Sequence, residues 1–166
     1  SRPRTGRRDG VGGPSFHPSL DDGQRERTLL EFDSDRRDFW HFVPDKFIKP
    51  DGVRYGLMIG GMTPQQRLLA HALLSTGLSH KGYRQAVTIM TLEAILHDLE
   101  DKNPSRDPEL YYVSVFGEPS VDSTWAWRFE GHHVSVNFTL VKGRLFSVTP
   151  SFFGSSPSLR WVFSRL

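Results

Sequence analysis

The stretch "WRFEGHHVSVNFTLVKG", residues 127–143, decides the fold. Apolar and polar residues alternate along it with a period of two, the pattern of a strand buried on one face. It also holds a glycine-centred break at Glu130 and Gly131, followed at once by two histidines, His132 and His133. Taking Glu130 and Gly131 as a two-residue hairpin loop predicts that Phe129 faces His132, Trp127 faces Val134, Trp125 faces Val136 and Arg128 faces His133. One face then carries Trp125, Trp127, Phe129, His132, Val134, Val136, Phe138 and Leu140. The other carries Ala126, Arg128, His133, Ser135, Asn137 and Thr139. The clean segregation favours this register, because slipping one strand by a single residue would exchange its two faces.

A three-residue loop of Val141, Lys142 and Gly143 extends the pattern, pairing Phe138 with Phe146 and Val136 with Val148. Successive strand residues point to opposite sides, so this register turns His132 toward an aromatic core and His133 toward a polar face. Further strands are predicted at 110–116, 123–129, 132–140 and 144–150.

Upstream the period changes to that of helices. In "MTPQQRLLAHALLSTG", Thr63 is the expected N-cap, Pro64 takes the first helical position and Gln66 completes a capping box. Gly77 closes that helix, and a second follows from Ser79 to Leu99, with Ala86, Ile89, Met90, Ala94 and Leu96 near one another on its surface. The short link predicts an antiparallel helical hairpin. Before it come a short helix over 19–31 capped by Ser19, a turn capped by Ser34, and a loop over 44–61 with an extended piece at Tyr55 to Ile59. Helices followed by strands give an α+β fold: an antiparallel helical hairpin packed on an antiparallel β-meander of about four strands. Residues 1–18 read as a disordered basic tail, 19–157 as a single domain, and 158–166 as a divergent end.

Charge placement narrows the function classes. The chain carries a net +2, but Arg2, Arg4, Arg7 and Arg8 against Asp9 place +3 in the first 18 residues, leaving the rest at −1. A folded part without excess positive charge argues against nucleic-acid binding. No apolar run reaches the roughly 20 residues of a membrane span, so a soluble, cytoplasmic protein is expected. With no cysteine, disulfides and thiolate metal sites are excluded, leaving His, Asp and Glu as the metal-binding side chains. Walker, GxSxG, GxGxxG, HExxH and calcium-loop patterns do not occur.

The candidate site therefore lies in the opening stretch. An arginine facing a histidine suits an anionic or carbonyl group, giving Arg128 a binding role and His133 a role in proton transfer. Ser135, Asn137 and Trp127 are the expected ligand-binding neighbours of an unidentified small molecule, on a face whose short polar side chains call for a cover. A divalent metal, the one cofactor entertained, would draw on His133, His132 and Glu130, although the register does not place these on one face. His41 reads as structural, and His71, His80 and His97 as surface residues of helices.

Several motifs in order, "MTPQQRLLAHALLSTGLSHKGYRQAVTIMTLEAILHDLE", "ELYYVSVFGEPS", "WAWRFEGHHVSVNFTLVKG" and "TPSFFGSSP", resemble the domain of unknown function 3500 family over roughly Leu20 to Pro157. The resemblance implies no activity. It implies that members continue past the position of Pro157 with further histidines and acidic residues, so this chain is expected to be a truncated N-terminal part. The functional expectation is an enzyme or enzyme fragment with a polar pocket on one sheet face. The alternatives are a non-catalytic binding domain, or an inactive relic that self-associates through a strand edge exposed after Pro150.

Overall fold

The computed structural model describes residues 16–50 and 52–154. Among these residues it is a mixed α+β fold with three α-helices, α1 (Asp22–Thr28), α2 (Pro64–Gly77) and α3 (His80–Leu99). The strands are β1 (Leu29–Leu30), β2 (Leu57–Met58), β3 (Tyr111–Phe116), β4 (Thr124–Gly131), β5 (Val134–Val141), β6 (Arg144–Ser147) and β7 (Ser151–Phe153). They form one seven-stranded sheet, antiparallel throughout except where β1 runs parallel to β3.

The expected four-strand meander is the middle of this sheet, and short strands complete its borders. The outer edge of β3 is shared by β1, paired at Val115 and Phe116, and β2, paired at Tyr112 and Val113. The outer edge of β5 is shared by β6 near Thr139–Val141 and β7 at Val134–Val136. Two-residue strands have too little periodicity to be read from sequence.

Local signals set the helices. Thr63 and Gln66 form the expected capping box at the start of α2, with Pro64 in the first turn, and Ser79 caps α3. For α1 the cap is Asp21, in a capping box with Gln24, rather than Ser19, which belongs to the turn His17–Ser19. Ser34 caps the turn Asp35–Arg37 as expected. Phe16 is fully buried, so the expected tail does not extend to residue 18. The rest of that tail and the divergent end at 158–166 lie outside the described residues. No helix among the described residues is long and apolar enough to cross a membrane.

Instead of lying along one another as a hairpin, α2 and α3 meet near their junction, where Tyr83 and His71 approach to 3.2 Å. Both cover one sheet face: Leu73, Leu74, Ala86 and Ile89 join Val113, Trp127, Phe129, Val136 and Phe138 in a single core. Each buried aromatic contributes on the order of 1.5–3 kcal/mol. Gly77 ends α2 for a packing reason, since a Cβ there would lie 2.4 Å from the Phe138 ring. Gly77→Ala is expected to lower the unfolding free energy by about 1–3 kcal/mol, the usual cost of overpacking, measurable as an earlier urea midpoint.

The register of β4 and β5 corrects the expected hairpin. Gly131 pairs with Val134, Phe129 with Val136, Trp127 with Phe138 and Arg128 with Asn137, so His132 and His133 themselves form the two-residue turn. The displacement is even, which is why the aromatic and polar faces survive it intact. Gly131 is a strand residue because its missing side chain makes room for Tyr111, whose ring would sit 2.3 Å from a Cβ. The left-handed position of the turn falls instead to His133, at φ +65°.

The next turn is shorter than expected, with Lys142 and Gly143 both at positive φ, as a type I′ turn requires. A bulge at Thr139 and Leu140 follows, and Phe146 is 77% exposed rather than paired with Phe138. Val136 meets Ser151 of β7 in place of Val148.

The other sheet face is covered, as its short polar side chains suggested, by the irregular stretches 31–50 and 52–56. Arg128 is the anchor. Its Nε donates to Asn137 Oδ1 (2.7 Å), Nη1 to the Phe39 carbonyl (2.7 Å) and Glu130 Oε1 (3.4 Å), and Nη2 to the carbonyls of Arg36 (3.1 Å) and Arg37. The amide of His41 donates to Glu130 Oε2 at 2.8 Å. Farther along, buried Arg54 pairs with Asp45 and donates to the Val43 carbonyl.

Candidate metal centre

The turn between β4 and β5 is held from three directions. The His133 amide donates to the Phe42 carbonyl (2.8 Å), the Gly154 amide donates to the His133 carbonyl (2.9 Å), and Tyr111 Oη donates to the His132 carbonyl (3.0 Å). So fixed, the two imidazoles do not point to opposite sides of the sheet. They stack, with centroids 3.8 Å apart and planes 24° from parallel, against the C-terminal half of α3.

There they meet Glu93. Its Oε2 lies 2.8 Å from His132 Nδ1, and its Oε1 lies 4.0 Å from His133 Nε2. One ligand atom from each of the three residues falls within 4.8 Å of the others. Glu93 is 2% exposed, and Arg106, from the turn Pro104–Arg106, donates from Nη1 to Oε1 at 3.0 Å while also reaching Glu100. A buried carboxylate is costly unless paired, and the Arg106 guanidinium and the His132 ring provide that pairing. His133 Nε2 is buried and has no hydrogen-bond partner among the described residues.

Burial, reinforced by the neighbouring His132, pushes His133 down to about 4, so its imidazole is neutral at ordinary pH and keeps a lone pair on one ring nitrogen. Burial also lowers His41 and His71. In the unfolded chain all three titrate near the ordinary value of about 6.5. Below that pH the unfolded chain binds protons that the folded one refuses, so stability falls with pH and levels off only below the folded values. The His133 share of this loss develops between about pH 6.5 and 4 and is moderated by solvent screening of the half-buried ring. The urea midpoint of metal-free protein is therefore expected to fall steadily from pH 7 to 4, with His133→Ala removing much of that slope.

The residues named from sequence are divided between two places. His132 and His133 come together at the turn. Glu130 does not join them: it lies on the opposite sheet face, buried against Arg128 and the His41 amide, which outweigh only part of the burial that raises its carboxyl above the ordinary range. Arg128 does not face His133, and all five of its N–H groups are engaged within the protein. Trp127, Arg128 and Asn137 line a cavity of about 260 Å³ under Asp33 and Asp38, away from the histidines, and Ser135 is fully buried.

Glu93 and Arg106 were missed from sequence. The signal for Glu93 was present, since position 93 falls on the same helical stripe as Ala86, Ile89 and Leu96, all buried. A carboxylate in an apolar stripe requires a partner.

No curated protein and no solved structure matches this chain. A family model described as "Protein of unknown function (DUF3500)" matches residues 14–164, a range that spans the strand–turn–strand bearing both histidines and the helix bearing Glu93. The chain belongs to the DUF3500 family.

Proposed function

We propose that Glu93, His132 and His133 bind a divalent transition-metal ion and that the protein is a metal-dependent enzyme acting on a small molecule. The observation that carries this reading is the convergence of three ligand groups, from a helix and a distant turn, around a buried imidazole nitrogen with no hydrogen-bond partner among the described residues. Ligand atoms about 2.1 Å from a tetrahedral ion are about 3.4 Å apart. One donor atom from each of the three residues already lies within 4.8 Å of the others, close enough for small side-chain adjustments to bring them to that spacing. Two imidazoles and one carboxylate are a donor set suited to zinc and neighbouring metals, and three protein ligands leave a position open for water or substrate. An ion there would act as a Lewis acid on whatever occupies that position.

The ligand arrangement also provides a means of adjusting to the ion. Arg106 already contacts Glu100 as well as Glu93, so it can release Glu93 Oε1 without losing all ionic partners. The test is thermal unfolding of metal-stripped protein against zinc, cobalt, nickel and manganese. One of these is expected to raise stability by about 2.7 kcal/mol at a hundredfold excess over its dissociation constant. A transition unmoved by all four would refute the reading.

A further inference from the structure

The cluster of Glu93, His132 and His133 has a fourth neighbour, Arg106, which has no lone pair to offer a metal. Its Nη1 donates to Glu93 Oε1 at 3.0 Å. Glu100 holds the other side of the guanidinium: Arg106 Nε donates to Glu100 Oε2 at 3.4 Å and Nη2 lies 3.4 Å from Oε1. Asn103 Nδ2 donates to the same carboxylate at 2.7 Å. What the cluster shows to solvent decides what meets it. The Glu93 side chain is 2% exposed, whereas those of His132, His133 and Arg106 keep 14–16%. A molecule arriving from solvent therefore meets the two imidazoles and the guanidinium rather than Glu93.

From this arrangement we propose that Arg106 is a substrate-binding residue of the metal centre and that the substrate carries a carboxylate, which accepts from Arg106 while one of its oxygens sits on the ion. The inference rests on the proposed metal-dependent function and names the substrate class of that same site. Reach permits it. An ion about 2.1 Å from Glu93 Oε1 lies within about 5 Å of Arg106 Nη1. An oxygen about 2.1 Å from the ion and about 2.8 Å from a charged donor spans that same distance. Charge selects the ligand. Ligating imidazoles are neutral, so a divalent ion and Arg106, set against Glu93 and Glu100, leave one positive charge at the loaded site. A carboxylate cancels it. A phosphate monoester, at about −1.5 to −2, overshoots, and a neutral carbonyl leaves the charge standing. Shape agrees, because the planar guanidinium is a fork suited to a planar carboxylate, and Glu100 keeps it in place when Glu93 Oε1 turns to the ion.

The experiment is titration of the full chain, loaded with cobalt and followed by its visible absorption. The probes are benzoate, benzamide as its uncharged counterpart of the same shape, and phenylphosphonate as the more highly charged oxyanion. Benzoate is expected to change the cobalt spectrum saturably and to bind at least tenfold more tightly than either of the others. Calorimetry on metal-free protein should show benzoate bound at least tenfold more weakly. Arg106→Gln should weaken benzoate at least tenfold while leaving cobalt affinity unchanged or higher, and Arg106→Lys should recover part of that loss. If these variants do not fold, the comparison of benzoate with benzamide on the unaltered chain decides alone. Binding of benzamide or phenylphosphonate as tight as that of benzoate, or benzoate binding indifferent to Arg106→Gln, would overturn the inference. The two readings fail separately. A chain that takes up cobalt, with a spectrum that benzoate leaves unchanged, loses only the carboxylate; a chain that takes up no cobalt loses the metal centre and the inference with it.

Discussion

Arg128→Met is expected to destabilise the protein by about 3–5 kcal/mol, the largest loss anticipated from any single substitution here. Methionine restores the bulk of the side chain and none of its donors. Removing the guanidinium strands the carbonyls of Arg36, Arg37 and Phe39, the Asn137 amide oxygen and one side of the buried Glu130 carboxylate. Against a total stability of about 5–15 kcal/mol, such a loss brings the domain close to unfolding at ordinary temperature. Trp125 and Trp127 are both buried, so their fluorescence during urea unfolding reports it directly. Adding Glu130→Gln to Arg128→Met should recover part of the loss by neutralising the stranded carboxylate. A loss below about 1 kcal/mol would mean that the stretches 31–50 and 52–56 are held on the sheet by their other contacts.

The second large effect concerns the metal centre. Glu93→Gln preserves shape and removes the only carboxylate of the cluster, and it should weaken zinc binding about a hundredfold or more, at least what altering an outer-shell partner of a metal ligand costs. Competition with a chromogenic chelator measures this without recourse to activity. Arg106→Gln serves as the opposing control. Its guanidinium lies 3.0 Å from Glu93 Oε1, so removing that charge should leave zinc affinity unchanged or raise it. A Glu93→Gln variant that binds zinc as the parent does would place the ion, if any, elsewhere.

Sequence reasoning went furthest where a signal was local. The capping box at Thr63 and Gln66 needs only four residues, and the β4–β5 alternation needs only a strand's own period. The hairpin shows where such reasoning stops. Glycine at 131 is the favoured turn residue, but Tyr111, some twenty positions upstream, claims its missing side chain and pushes the turn onto the histidines. That displacement of two residues leaves every face assignment of the strands correct and reverses the conclusion about the site, because turn residues do not alternate. Glu130 is close to the histidines in sequence, whereas the carboxylate that reaches them stands 39 positions away on a helix. The position of Arg128 on a polar face is legible in the strand's period. Its partners are main-chain carbonyls of an irregular segment whose path leaves no periodic trace.

Those carbonyls bear on how the sequence can vary. Every peptide unit has one, whatever its side chain. The covering segment is thus gripped at Arg36, Arg37 and Phe39 by atoms that mutation of those residues leaves in place, provided the backbone keeps its course. Substitutions can accumulate along the cover while the arginine beneath it stays fixed. The lining of the cavity next to that arginine, Asp33 and Asp38 included, can therefore be rewritten without dismantling the fold that supports it.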